Sequence, residues 1–76
     1  MNDLEANREL ISVEINGEHR EIPAGLSITG LLEFLAVDAG RVAIELNRNI
    51  VRKPDWELTW IEAGAQIEVV MFVGGG

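Results

Sequence analysis

Helical periodicity occurs once in this chain. Ile28, Leu31, Leu32 and Leu35 stand at i, i+3, i+4 and i+7, with Ser27 ahead of them as the N-cap and Gly40 behind as the stop. The spacing predicts one amphipathic helix of about ten residues. A lone apolar stripe buries itself only against a second layer, and nothing else in the sequence offers a second helix. The partner layer must therefore be a sheet, and the leucine stripe is its apolar cover.

Strand signals lie on both sides of the helix. Ile11, Val13 and Ile15 alternate with Ser12 and Glu14, and Asn16-Gly17 follows at once. That dipeptide is the strongest short hairpin signal, because both turn positions must accept positive φ. The return strand runs over Glu18–Ile22 and is broken by Pro23-Ala24-Gly25. Past the helix, Val42, Ile44 and Leu46 alternate with Arg41, Ala43 and Glu45. Asn47-Arg48-Asn49 makes a tight turn into a short strand, Ile50-Val51. Lys53-Pro54-Asp55-Trp56 reads as a brief helical turn, since proline suits the first helical position. Trp56 and Trp60 are expected to be core or core-edge anchors. Gly64 turns the chain into a last strand, Ile67–Val73.

The 76-residue, 8.4 kDa chain carries one domain, expected over residues 9–73, behind a polar, flexible extension at residues 1–8. With no cysteine there is no disulfide, thiolate nucleophile or cysteine metal site. His19 stands alone in a polar run. A net charge of −7 argues against a nucleic-acid backbone as partner. No apolar stretch is long enough to span a bilayer, and a cytoplasmic protein that is a monomer on its own is expected. Residues 1–40 hold eight of the acids and two of the bases, the sparse basic cluster Arg41, Arg48, Arg52 and Lys53 lies in the other half, and the acidic whole favours association with a basic partner surface.

The sequence closes on Gly74-Gly75-Gly76, directly after the most apolar strand. Without Cβ atoms such a segment reaches backbone conformations closed to other residues and passes channels that reject side chains. It is expected to be a flexible arm, residues 74–76, with a free carboxylate on Gly76.

The elements run β, β, α, β, short β, helical turn, β. The crossover helix lets the first and last strands pair in parallel. The expected sheet has four to five strands in the order 2-1-5-3 with one main helix in its concavity, an α+β, ubiquitin-like β-grasp. The run Val42-Ala43-Ile44-Glu45-Leu46-Asn47-Arg48-Asn49-Ile50-Val51-Arg52-Lys53-Pro54-Asp55-Trp56, then Gly64, the apolar last strand and the diglycine end, resembles the ThiS family of sulfur carriers that serve thiazole formation in thiamine biosynthesis. The likeness covers residues 10 to 76 and departs from the family's usual pattern at turns, in Arg52-Lys53-Pro54 and Gly64-Ala65.

The resemblance implies a carrier protein and not an enzyme. The Gly76 carboxylate is adenylated with ATP by a separate E1-like enzyme and converted to a thiocarboxylate, a sulfur donor system supplies the sulfur, and thiazole synthase receives it. The chain itself binds no cofactor and no metal. Two alternatives stand beside this one: a molybdopterin synthase small-subunit-like or other-pathway carrier, and a β-grasp interaction module with no covalent role.

Strand alternation locates a docking face. With Ile67, Val69 and Met71 toward the helix, Val70 and Phe72 point to the open face beside Ala43, next to the root of the glycine arm. Ala43, Val70 and Phe72 are the expected partner-binding residues.

Overall fold

The computed structural model describes residues 9–72. The expected extension at residues 1–8, Val73 and the arm Gly74-Gly75-Gly76 lie outside the described residues. Five strands form one mixed sheet: β1 (Leu10–Ile15), β2 (Glu18–Pro23), β3 (Val42–Leu46), β4 (Asn49–Val51) and β5 (Gln66–Met71). The order is β2-β1-β5-β3-β4, the expected order with the short fourth strand added at an edge. β1 and β5 are the parallel pair, with Ile15 beside Ile67. The helix, α1 (Ile28–Phe34), packs on one face of the sheet, and two 3-10 segments, Ala39–Arg41 and Lys53–Leu58, complete the fold.

Both hairpins close through two residues of positive φ. Asn16 and Gly17 lie at 52° and 83°, Asn47 and Arg48 at 51° and 73°. This is the turn whose twist matches that of its flanking strands. The return strand β2 runs one residue past its expected end, to Pro23, which pairs with Leu10. Proline is tolerated there because β2 is an edge strand and its missing N–H faces outward.

α1 is shorter than its apolar stripe, seven residues in place of about ten. Ser27 caps it as expected, its Oγ accepting from Gly30 N at 3.1 Å. Its end is not Gly40. Ala36 turns left-handed at φ 59°, Ala36 N donates to Glu33 O at 3.1 Å, and Val37 N donates to Leu32 O at 3.0 Å. That bond pair is the Schellman closure of a helix, here with alanine where glycine is usual. Leu35 becomes the cap and sits at the rim of the core.

The core lies between α1 and the sheet. Val13, Ile15, Leu31, Val42, Ile44 and Ile67 are buried as the alternation predicts, and Ile11, Leu35 and Val69 pack half-buried around them. Ile22, Ile28, Leu32, Trp56, Ile61 and Ala65 complete the buried set. The two tryptophans part company. Trp56 is 4% exposed, and its indole N–H donates to Val51 O at 2.8 Å. Trp60 is 58% exposed, which corrects its reading as a core anchor. The 3-10 segment ends at Leu58, and residues 59–61 then run extended along the entry to α1: Ile28 N donates to Thr59 O and Ile61 N to Leu26 O. In that extended stretch Ile61 points inward and its neighbour Trp60 points out. Among the described residues no helix is long and apolar enough to cross a membrane.

Candidate functional site

The face of the sheet away from α1 is built by the odd-and-even logic of its strands. β5 sends Ile67 and Val69 toward the helix and Glu68 and Val70 outward, and Phe72 continues the outward row. Met71, expected against the helix, belongs to the helix-side row but is 56% exposed, in a shallow depression that it shares with Phe34 and Leu35 at the end of α1. Val70 and Phe72 are 52% and 59% exposed. Ala43 stands directly opposite Val70 in the β3–β5 register and is half-buried. The three expected docking residues therefore share one patch. Phe72 N donates to Arg41 O at 2.8 Å, so the chain is held to the residue just ahead of β3 up to the last described residue.

Below this patch the same face is acidic. Glu45 lies opposite Glu68 across β3 and β5, and Glu14 lies beside Gln66 across β1 and β5. Together with Arg48 and Val70 these side chains line a shallow depression. Like charges placed directly opposite one another destabilise a sheet. The described residues hold no buried polar or charged side chain and no group of three potential metal-ligating His, Asp or Glu residues. What they present is an apolar patch at the C-terminal end of β5, rimmed by carboxylates.

One arrangement at the site has no sequence signal. The hairpin asparagines reach sideways onto β5. Val69 N donates to Asn16 Oδ1 at 2.8 Å and Asn16 Nδ2 donates to Val69 O at 3.3 Å. At the other end of the strand, Gln66 N donates to Asn47 Oδ1 at 2.9 Å and Asn47 N donates to Gln66 O at 2.7 Å. The sequence marks both asparagines as turn formers. Nothing in it marks a partner 53 positions away.

Comparison with known proteins places this geometry. The ThiS family model matches residues 3–76, from before β1 through the terminal glycines. The chain belongs to the ThiS family. ThiS-family membership makes it a ubiquitin-like sulfur carrier in type, and the solved structures agree. A crystal structure of the thiamine biosynthesis protein ThiS from Geobacter metallireducens superposes with a TM-score of 0.76 at 29% identity, covering 87% of this chain and all of that one. Among curated relatives, the thiazole synthase of Paramagnetospirillum magneticum is 40% identical over 62 residues, which is 82% of this chain. The chain spans 19% of the length of that relative. An uncharacterized protein, ycf40, of Porphyra purpurea is 35% identical over 66 residues and is matched over 93% of its length.

Proposed function

We propose that this chain carries sulfur as a thiocarboxylate on Gly76 and delivers it for thiazole formation in thiamine biosynthesis. The reading rests on one observation above all: the ThiS match continues past β5 through Gly74-Gly75-Gly76, so the glycine segment is part of the family likeness. A carboxylate resists nucleophilic attack because neither oxygen is a good leaving group. Attack of the Gly76 carboxylate on ATP, catalysed by an E1-like enzyme, gives an acyl adenylate and releases pyrophosphate. A sulfur nucleophile then displaces AMP and leaves the thiocarboxylate. ATP is used by the activating enzyme, and this chain supplies recognition through Ala43, Val70 and Phe72 and reach through Gly74 and Gly75.

Thiazole synthase as the acceptor draws support from the relatives that bear that name. In two of them a segment like this chain makes up about a fifth of a single polypeptide, at 19% and 20% of the length. A carrier joined to its acceptor raises the local concentration of the donor group without any new contact.

Intact-mass spectrometry after incubation with ATP, sulfide and the cognate E1-like enzyme tests the reading. The expected product is heavier by the difference between one sulfur and one oxygen, and the Gly75→Val variant is expected to stay unmodified, since a β-branched side chain blocks a channel shaped for glycine. A wild-type chain that stays unmodified beside a competent enzyme overturns the carrier reading.

A further inference from the structure

Asn16 does more than close a turn. β1 leaves the sheet at Ile15, opposite Ile67, whereas β5 continues to Met71. From Val69 onward β5 has a backbone partner on one side only, β3, through the pairs Ile44–Val69 to Val42–Met71. On the other side the ladder is continued by the Asn16 side chain, whose amide accepts from Val69 N and donates to Val69 O as a strand residue does. We propose that Asn16 is a positioning residue for the carrier tail, holding the end of β5 so that Val70, Phe72 and the glycine arm leave the sheet from a fixed point.

The physical case is one of strand ends. A terminal segment laddered on one side opens locally far more readily than one laddered on both. If β5 frays back to Val69, the last held residue moves from Phe72 to Glu68, four positions farther from Gly76. The effective concentration of a tethered group falls as its tether grows beyond the span it must bridge. The docking residues Val70 and Phe72 leave with the strand. Asn47 makes the same kind of contact on Gln66 at the opposite end of β5, where no tail follows, and so provides an internal control.

The inference rests on the carrier reading for its functional consequence, and three variants separate the two. Asn16→Gly keeps a turn residue that accepts positive φ and deletes both side-chain bonds. Asn16→Asp keeps the acceptor for Val69 N. Asn47→Gly removes the matching contact at the other end. By amide exchange followed by NMR, Asn16→Gly is expected to speed exchange at Val69 and at Phe72, whose N–H is bonded to Arg41 O, by about tenfold while Ile67 stays protected, with Asp restoring protection and Asn47→Gly leaving these amides unchanged. With the cognate activating enzyme, well below every melting midpoint, Asn16→Gly is expected to lower kcat/KM for the carrier by about 3- to 10-fold, and Asn47→Gly by less than about twofold.

Unchanged exchange at Val69 in Asn16→Gly overturns the proposal. So does a loss of activity that merely follows melting temperature across the three variants. A wild-type chain that is inert with the enzyme sinks the carrier reading instead, while the exchange pattern still decides whether Asn16 holds the strand end.

Discussion

Asn16 and Val69 form a closed pair of hydrogen bonds, 2.8 Å from the Val69 amide to Oδ1 and 3.3 Å from Nδ2 to the Val69 carbonyl. A primary amide is the same chemical unit as a peptide, so it substitutes for the strand residue that β1 no longer supplies. The two hairpin turns thus grip β5 at both ends, Asn47 at Gln66 and Asn16 at Val69. Each asparagine meets two demands at once. It takes positive φ, and it leaves its amide free to satisfy a neighbouring strand. Glycine meets only the first.

The end of α1 offers a stabilising substitution. Ala36 occupies the left-handed position of the Schellman closure at φ 59°, where a Cβ costs about 1–2 kcal/mol. Glycine removes that strain and adds freedom to the unfolded chain, which offsets part of the gain. Ala36→Gly is therefore expected to raise stability by about 0.5–1 kcal/mol. In a domain of this size that lifts the melting midpoint by about 2–8 °C in a thermal scan. A lower midpoint contradicts this account of the helix end.

In the core, Leu31 and Ile67 are 0% and 1% exposed and face each other's layers from α1 and β5. Truncating either to alanine is expected to cost about 2–5 kcal/mol by chemical denaturation. That is a large share of what a 76-residue domain has, about 4–11 kcal/mol in all. A cost near that of a surface substitution would mean that the layer collapses around the cavity.

Where the sequence was legible, short-range chemistry was decisive. Asn16-Gly17 permits little but a tight hairpin, Ser27 has the oxygen a helix start needs, and the alternation in Val42–Leu46 and Ile67–Val70 sorts inward from outward residues. The failures share a different cause. Ala36 ends the helix with no glycine to announce it, because tertiary packing imposes a conformation that alanine tolerates only at a cost. Trp60 looks like a core residue by type, and its exposure is set by the extended pairing of residues 59–61 with the entry to α1. The Asn16 and Asn47 contacts on β5 depend on which strands become neighbours. The glycine arm was legible as a motif because it needs no packing to be recognised.

Phe72 and Val70 test the docking face. Both are about half exposed beside Ala43, with Phe72 N tied to Arg41 O at 2.8 Å, so the aromatic ring stands on a fixed backbone at the root of the arm. Aromatic anchors of this kind dominate interfaces. Phe72→Ala is expected to weaken binding to the activating enzyme and to thiazole synthase by about 1–3 kcal/mol, measured by calorimetry, with a smaller change in folding stability. Val70→Asp acts in the same direction by adding a charge to be desolvated. Unchanged affinities in both variants would place the docking face elsewhere.

Glu45 and Glu68 set stability against association. They stand directly opposite across β3 and β5, a like-charge pair that costs the sheet, on a chain whose net charge is already −7. Glu45→Lys turns repulsion into attraction and is expected to raise stability by about 0.5–1 kcal/mol. The same change removes two units of negative charge from the rim of the apolar patch. If the carboxylates steer the carrier onto a basic partner surface, the association rate with the activating enzyme falls by severalfold at low ionic strength, and its salt dependence flattens. Stopped-flow association at two salt concentrations measures this, beside a thermal scan of the same variant. A variant that is more stable and slower to associate shows that the acidic pair is kept for encounter with the partner. One that is more stable and equally fast shows that the carboxylates of this face play no part in finding it.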